Sequence, residues 1–368
     1  MKNSFNFKPF FPYPAIRQQQ EQAIQFALES FITHRKKFVV IEAGTGVGKS
    51  AIGLTVGRYI NTLSENNDDY AKGAYYVTTQ KILQDQYEKD FAPPMGRMCS
   101  IKSSVNYKCK YNKKDCGESQ RLLRTEDKES KFFKSCSFAC VYKQSKQSFL
   151  ESTESVTNFP YFLTESAFSG KIVPRNILVL DEAHNVESEL SKFIEVVVSE
   201  RFAKHVLKIK WPPRMTQYKA YAWIRDSYYP KAQAKLKYFE SALETTGIKS
   251  RLKEFMSISK QHDMLSGHVE KIGMFLKSYQ SQNWVMENVK AFGKSMRKFS
   301  FRAIDISAFA NKYLFRLGKR HLLMSATILD RKTFCSSLGM SEDEVAFLSI
   351  PSPFPVENRP IHVLPVGS

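Results

Sequence analysis

The run AGTGVGKS at residues 43–50 is the feature that most constrains how this chain can fold. It follows a β-branched apolar run at residues 37–41 and opens a helical pattern over residues 49–66. Glycines at this spacing let backbone N–H groups turn inward around phosphates at a helix N-terminus. We expect Lys49 to reach the terminal phosphates of a nucleotide and the Ser50 hydroxyl to hold Mg²⁺. The predicted phosphate-loop residues are Ala43, Gly44, Thr45, Gly46, Val47, Gly48, Lys49 and Ser50.

Further short apolar runs, at residues 74–78, 176–180 and 321–324, predict more buried strands of a parallel sheet. Helical patterns such as residues 15–34 lie between them. Strands that alternate with helices indicate an α/β fold with helices on both faces of an open sheet. The sequence has no run of about 20 apolar residues and no signal-peptide layout, so we expect a cytoplasmic protein with no membrane partner.

Two segments interrupt this alternation and carry the positive charge of the chain, whose formal net charge is +19. The first, from about residue 99 to 150, is rich in Lys and Ser and holds five of the six cysteines. The second, from about 186 to 318, is helical in pattern. Residues 101–150 contain 12 basic and 5 acidic side chains, and residues 201–320 contain 25 and 8. Such clustering suggests a polyanionic partner, although solvated lysine-rich helices would give the same counts.

Two carboxylates, Asp181 and Glu182, end the apolar run at residues 176–180. An aspartate at the carboxyl end of a buried strand beside a phosphate loop can hold Mg²⁺. The adjacent glutamate can orient and deprotonate an attacking water. An acidic strand end that caps the next helix is the alternative, but it does not explain why the pair follows a phosphate loop.

The tetrad Asp181, Glu182, Ala183 and His184, combined with the phosphate loop, resembles the motifs of superfamily 2 helicases. Further segments resemble the iron–sulfur helicases of the XPD/DinG type. FPYPAIRQQQ is similar to their Q-motif, which implies that Arg17 and Gln20 contact adenine.

Three more segments follow in the order of that family. Residues 77–86 resemble motif Ia, which implies that Thr79 and Lys81 touch single-stranded DNA. Residues 322–328 resemble motif III, which implies that Ser325 and Thr327 couple hydrolysis to movement. Residues 352–360 resemble the segment that comes next in these helicases.

Four cysteines, Cys109, Cys116, Cys136 and Cys140, have the spacing C-x₆-C-x₁₉-C-x₃-C. Spacing alone leaves open tetrahedral zinc and a 4Fe–4S cluster. The resemblance implies the cluster, because these helicases insert an iron–sulfur domain in this interval. Cys99 is a nearby competitor in a context unlike the family's first ligand.

The helical segment from residue 186 occupies the place where XPD-like helicases carry their Arch domain. Within it, residues 208–229 interleave basic side chains with tryptophan and tyrosine. Such rings can stack nucleic-acid bases, but core packing between helices is the more common role of any one of them. We therefore assign none of them to DNA.

The resemblance implies one RecA-like lobe with two insertions. We expect the lobe at residues 1–98, 150–185 and 318–368, the iron–sulfur insertion at 99–149, and an all-helical Arch-like insertion at 186–317. The implied function is that of an ATP-dependent DNA helicase that moves 5′ to 3′, with Lys49, Asp181 and Glu182 as catalytic residues.

The implied partners are single-stranded or forked DNA and a second RecA-like lobe, in the same protein or on a separate chain. We expect a fragment that is otherwise monomeric, hydrolyses ATP poorly by itself, and comes from a bacterium or phage. One alternative is a non-motor, ATP-sensing DNA-binding subunit. A second alternative is a DinG-like enzyme that also carries a nuclease.

Overall fold

The computed structural model describes residues 5–63, 69–91, 98–213, 215–245, 252–289 and 297–352. The chain forms two compact units. The first comprises Met1–Lys102, Ser145–Glu189 and Ile306–Ser368, and the second comprises Ser103–Gln144 and Leu190–Asp305. The predicted family segment at residues 352–360 lies outside the described residues except for Ser352.

The described residues form ten strands and fourteen α-helices in chain order. The strands are β1 (Phe38–Ala43), β2 (Ala71–Thr78), β3 (Met98–Ser100), β4 (Glu154–Asn158), β5 (Arg175–Asp181), β6 (Val196–Ser199), β7 (Trp284–Val289), β8 (Lys298–Ala303), β9 (Gly318–Ser325) and β10 (Val345–Ile350). The helices are α1 (Gln18–Ile32), α2 (Lys49–Ile60), α3 (Lys81–Phe91), α4 (Cys116–Leu123), α5 (Lys131–Phe138), α6 (Val141–Glu151), α7 (Phe159–Thr164), α8 (Val186–Ile194), α9 (Glu200–His205), α10 (Gln217–Trp223), α11 (Tyr229–Thr245), α12 (Leu252–Ser278), α13 (Ser307–Tyr313) and α14 (Arg331–Ser337).

A seven-stranded sheet is the centre of the first unit, with the order β10-β1-β9-β5-β2-β4-β3. Every pair of neighbouring strands in it is parallel. The predicted α/β fold is therefore confirmed. Because parallel strands all point the same way, the loops that follow β1, β9, β5 and β2 emerge at one edge of the sheet.

Helix α2 lies directly on this sheet. A Cβ added at Gly53 would be 2.6 Å from Met324 Cε and 2.9 Å from Val179 Cγ1, so only glycine allows this close approach. Most of the other side chains along α2 are also buried. The helix that begins at the phosphate loop is thus fixed to the middle of the sheet, through β5 and β9.

Strand β4 was not predicted from the sequence, because its residues ESVTN are largely polar. All five are nevertheless buried. The Glu154 carboxylate accepts two hydrogen bonds from the Arg58 guanidinium, at 2.8 and 2.9 Å. A paired charge of this kind permits a polar strand in the interior.

The second unit differs from the expected all-helical insertion. Strands β6, β8 and β7 form a three-stranded antiparallel sheet in that order. In β8 the buried rings of Phe299 and Phe301 lie two residues apart, with Ser300 buried between them and Lys298 and Arg302 exposed on either side. This two-residue period is the pattern of a strand, and the high lysine and arginine content of the segment obscured it.

Helices supply the rest of the second unit. Helices α11 and α12 pack against each other, and α12 also contacts α4 of the cysteine-rich segment. Arg121 of α4 and Arg124, the residue directly after the helix, pair with the Asp263 carboxylate at 3.4 and 3.1 Å. Arg124 also donates to Ser259 Oγ at 2.8 Å. None of the described helices has the length and apolar character needed to cross a bilayer.

The aromatic residues of segment 208–229 mostly pack inside the second unit. Trp211 and Tyr228 are buried, and the Tyr221 ring stacks on Tyr279 at 3.9 Å. Tyr218 is the exception, with 75% of its surface exposed. Core packing, the more common role of such rings, is therefore what most of them do here.

Two histidines, fully buried His321 and half-buried His268, should make the protein acid-labile. Burial lowers the pKa of His268 and of His321 from 6.5 to about 4. Each histidine binds a proton in the unfolded chain below pH 6.5 but stays neutral in the folded protein until about pH 4, so stability falls as the pH drops through that interval. At pH 5 we expect His321 alone to reduce the free energy of unfolding by about 2 kcal/mol relative to pH 7.5.

Urea unfolding of His321→Gln at both pH values tests this expectation. Glutamine preserves a donor for the Phe315 carbonyl, which His321 Nε2 contacts at 2.8 Å. The variant should lose about 2 kcal/mol less than the natural protein on acidification. Exposed His205→Gln is the control and should behave like the natural protein. Equal losses in all three proteins would contradict the assignment.

Candidate functional site

Four predicted motifs meet at the carboxyl edge of the parallel sheet. The phosphate loop begins at the last residue of β1, and the DEAH tetrad begins at the last residue of β5. The motif III-like segment includes the end of β9, and the motif Ia-like segment includes the end of β2. Strand β9 lies between β1 and β5. This order puts the phosphate loop and the acidic pair on either side of one central strand.

The phosphate loop adopts the backbone conformation that its glycines permit. Gly46 and Gly48 have φ angles of 86° and 87°, in the left-handed region that disfavours other residues. Two side chains from the start of α1 hold this loop. Arg17 Nη1 donates to the Gly46 carbonyl at 2.7 Å, and Gln20 Nε2 donates to the Val47 carbonyl at 2.9 Å. The predicted adenine-contacting pair therefore lies at the phosphate loop, where it also supports the loop backbone.

The remaining loop residues follow this geometry. Ala43 ends β1 and is buried, as is Val47, whereas Thr45 is exposed. A Cβ added at Gly44 would be 2.8 Å from Ser352 Cα, so the loop passes close to the chain after β10. Lys49 and Ser50 are the first two residues of α2 and stay partly accessible.

Ser50 and Asp181 come together as the sequence predicted. Ser50 Oγ donates to Asp181 Oδ2 at 3.2 Å, and the backbone N–H of Glu182 donates to Asp181 Oδ1 at 3.0 Å. Because its proton is engaged with the carboxylate, the Ser50 hydroxyl keeps its lone pairs for a cation. An oxygen donor set of one hydroxyl and one carboxylate fits Mg²⁺, which is held by few protein ligands and by substrate phosphates.

The electrostatics of Asp181 are those of a buried acid near a like charge. Burial raises the pKa of Asp181 above its usual value, and the Glu182 carboxylate raises it further. Lys49, the Glu182 backbone N–H and the Ser50 hydroxyl act in the opposite direction. A divalent cation would add to that opposing group and favour the ionised carboxylate.

Glu182 has an unusual backbone. Its φ angle is 54°, a left-handed conformation that is uncommon for a residue with a side chain. Its carboxylate lies 3.9 Å from Lys49 Nζ. Backbone strain of this kind concentrates at functional sites, and here it places the predicted base beside the predicted phosphate-binding lysine.

A cleft of about 470 Å³ opens over these groups. Its volume is in the range of small-molecule and cofactor sites. Three of its lining residues, Tyr13, Ala15 and Leu83, were not predicted. Tyr13 lies in the Q-motif-like segment, where an aromatic ring among prolines was the available signal. The lining residues are Tyr13, Ala15, Arg17, Gln20, Gly46, Gly48, Lys49, Ser50, Leu83, Asp181 and Glu182.

The motif III-like segment contacts the DEAH tetrad on one side and the end of β1 on the other. His184 Nδ1 lies 2.9 Å from Ser325 Oγ, and the Ser325 hydroxyl donates to the Thr327 carbonyl at 2.9 Å. On the other side Glu42, which the sequence analysis did not select, accepts the Ile328 backbone N–H at 2.6 Å. The third member of the tetrad, Ala183, is fully buried.

The predicted DNA-contacting residues do not line the nucleotide cleft. Thr79 follows β2 and is partly buried, and Lys81 begins α3 with an exposed side chain. Their position at the same edge of the sheet is compatible with a ligand other than the nucleotide.

The four predicted cysteine ligands line one small cavity in the second unit. Cys109 and Cys116 flank a tight loop in which the Cys109 N–H donates to the Lys114 carbonyl and the Cys116 N–H donates to the Tyr107 carbonyl, both at 2.8 Å. Cys136 lies on α5, and Cys140 directly precedes α6. Cys99 is on β3 of the first unit, and Cys335 is buried in α14.

The thiols influence one another in this cavity. Burial, followed by the nearby Cys140, Cys136 and Cys109 thiols, raises the pKa of Cys116 to about 12. Among the described residues, no three His, Cys, Asp or Glu side chains have the arrangement of a site for a metal ion. The cavity volume is about 20 Å³, roughly the space of one water, so a larger group would have to move the sulfurs apart. In donor type and grouping, four thiols around one cavity fit a metal–thiolate group.

The parallel sheet and the phosphate loop define a RecA-like nucleotide-binding fold of the kind found in superfamily 2 helicases. Comparison of sequences leads to the same class. The chain belongs to the family described as the res subunit of type III restriction enzymes, whose model matches residues 14–210. No curated protein matches the chain.

Solved structures support the fold. A structure described as an XPD helicase aligns with 92% of this chain at 13% identity, with a TM-score of 0.56. The aligned part is 63% of that helicase, so the chain spans less than two thirds of its length. A structure described as truncated XPD aligns over all of its own length and 91% of this chain, at 14% identity and a TM-score of 0.50.

Gly48→Ala should weaken nucleotide binding. A Cβ at Gly48 would lie 2.5 Å from Gln20 Nε2, and the φ of 87° strains any side chain. We expect MgATP affinity, measured by calorimetry, to fall about tenfold, which corresponds to roughly 1.4 kcal/mol. Gly170→Ala is the matched control, because Gly170 also has a positive φ but no neighbour within 4 Å of the added Cβ. Equal affinities of the two variants would show that the Gln20 contact is unimportant.

Proposed function

We propose that this chain is the ATP- and DNA-binding part of an ATP-dependent DNA helicase of the XPD/DinG type. The class of superfamily 2 helicases rests on the family and the fold. The specific proposal adds hydrolysis of ATP, movement along single-stranded DNA, and the 5′ to 3′ direction that the motif resemblance implies.

One observation carries the nucleotide part of this proposal. Ser50, Lys49, Asp181 and Glu182 converge around one cleft from two separate parts of the chain. In the proposed mechanism Lys49 binds the terminal phosphates, and Ser50 with Asp181 holds Mg²⁺. Glu182 orients the attacking water and accepts its proton. Magnesium, when bound, neutralises charge that develops on the phosphates.

The positive charge of the chain supports DNA as its polymeric partner. The second unit contains most of the basic segments, and neutralisation of phosphates dominates nucleic-acid affinity. Exposed Lys81 and partly buried Thr79 are proposed contacts to the strand at the lobe itself. The coupling role proposed for Ser325 is supported by its contact with His184.

A second RecA-like lobe is proposed to complete the nucleotide site, in the same protein or on a separate chain. The exposed position of Leu329, with 97% of its surface accessible directly after the motif III-like segment, supports an apolar partner there. Such a lobe supplies arginine fingers in comparable NTPases, worth about 10³–10⁵ in rate. Apart from this lobe we propose a monomer.

We further propose that Cys109, Cys116, Cys136 and Cys140 hold a 4Fe–4S cluster. Their shared cavity and the basic, loop-rich surroundings support a group that staples this segment. The four side chains would supply the thiolates; burial raises the pKa of Cys136, and the nearby Lys143 acts in the opposite direction. Tetrahedral zinc would use the same four thiolates. Elemental analysis of the purified protein distinguishes it from the iron–sulfur cluster.

Lys49→Ala tests the nucleotide part. We expect MgATP affinity to fall at least about tenfold, and ATP hydrolysis by the full gene product with single-stranded DNA to fall about 100-fold, since a charged donor to the phosphates is lost. Exposed Lys171→Ala is the control and should preserve both values.

The strand-separation assay distinguishes the motor from its alternative. Forked DNA with a 5′ single-stranded tail should be unwound, and the same duplex with only a 3′ tail should not. ATP and DNA binding without DNA-stimulated hydrolysis or unwinding would instead identify an ATP-sensing DNA-binding subunit. Failure of the natural protein to bind ATP would overturn the whole proposal.

The metal proposal predicts a brown protein after anaerobic purification, with about four irons per chain by elemental analysis. Serine substitution at Cys116 or Cys136 should remove the colour and the iron. Serine substitution at Cys99 or Cys335 should preserve both, because these thiols do not line the cavity. A colourless protein with one zinc would disprove the cluster.

A further inference from the structure

A buried phenol touches the acidic pair from a helix that no motif assigned to the nucleotide site. Tyr87 lies on α3, one residue beyond the motif Ia-like segment. Its hydroxyl donates to Asp181 Oδ2 at 3.2 Å. Asp181 is the carboxylate to which we assign Mg²⁺.

The phenol completes the hydrogen bonds of this carboxylate. Oδ1 accepts the Glu182 backbone N–H, and Oδ2 accepts both the Ser50 hydroxyl and the Tyr87 hydroxyl. Three donors from three different elements therefore fix the plane of the carboxylate. Without Tyr87, Oδ2 would depend on Ser50 alone, and Ser50 itself is assigned to the metal.

Tyr87 is held so that its hydroxyl cannot turn away. The side chain is only 1% exposed. Its ring packs edge-on against Phe91 at 5.4 Å and lies 5.9 Å from the Tyr76 ring.

We propose that Tyr87 is a positioning residue that orients Asp181 for Mg²⁺ and thereby sets the metal affinity of the nucleotide site. This inference rests on the proposed function, because it requires that the cleft bind a magnesium nucleotide. Tyr87 does not touch the nucleotide or the metal in this scheme; it acts through the carboxylate.

The size of the effect follows from the behaviour of groups that orient metal ligands. Removal of such a partner typically costs about 10–100-fold in metal affinity. We therefore expect Tyr87→Phe to raise the apparent dissociation constant for Mg²⁺, measured at a fixed ATP concentration, about tenfold. ATP affinity in the presence of EDTA should be unchanged, because the phosphate loop and the Q-motif residues are untouched.

The chain offers a matched control in Tyr76. Tyr76 is also 1% exposed, lies in the same core, and its hydroxyl has no hydrogen-bond partner among the described residues. Tyr76→Phe removes an equally buried hydroxyl without affecting Asp181. Thermal unfolding of both variants, followed by circular dichroism, shows whether either has lost its fold.

Magnesium titrations followed by calorimetry give distinct results. A Mg²⁺-specific loss in Tyr87→Phe, with Tyr76→Phe like the natural protein, supports the proposal. Equal Mg²⁺ affinity in all three folded proteins overturns it and leaves the proposed function intact. A parallel loss of ATP affinity in EDTA assigns Tyr87 to general support of the fold and also overturns it. If the natural protein binds no ATP, the proposed function fails first.

Discussion

A hydrogen bond between Ser50 and Asp181 joins two parts of the chain that are 131 residues apart in sequence. The bond requires that β1 and β5 run parallel with β9 between them, because only then do the phosphate loop and the acidic pair leave the sheet at the same edge. The close approach of α2 at Gly53 fixes the distance of Ser50 from this edge. The strand order and the packing of α2 are thus both needed to form the hydrogen bond between Ser50 and Asp181.

Local patterns were sufficient to predict the two halves of this contact. The phosphate loop is defined by glycines that adopt positive φ, and the acidic pair by its position after a β-branched strand. Each property depends on neighbours in the sequence. Tyr87 and Glu42 were not predicted, because their roles arise from partners that lie 94 and 286 residues away. No periodicity or spacing in the sequence reveals such a distant partner. Glu42 directly precedes the phosphate loop, but it is not part of the glycine pattern that defines the loop.

Strands were predicted where burial coincides with apolar composition, and missed elsewhere. Strand β4 is buried although polar, because Arg58 neutralises Glu154 and the neighbouring strands satisfy its backbone. Strand β8 has phenylalanine at two alternate positions, Phe299 and Phe301, in a lysine- and arginine-rich segment whose composition favours helices. The sequence predicted which four cysteines belong to the metal-ligand set, and the structure places all four around one cavity.

The central position of β9 also explains why the residues at its end are suited to the proposed coupling of ATP hydrolysis to movement. Ser325 contacts the DEAH histidine on one side, and three residues later the backbone N–H of Ile328 is held by Glu42, the residue directly before the phosphate loop. A second oxygen of Glu42 accepts the Ser349 hydroxyl at 2.7 Å. Any displacement of the segment after β9 must therefore stretch contacts to both β1 and β5. Since those strands carry the groups predicted to bind phosphate and metal, the segment between them is mechanically tied to each half of the predicted nucleotide site.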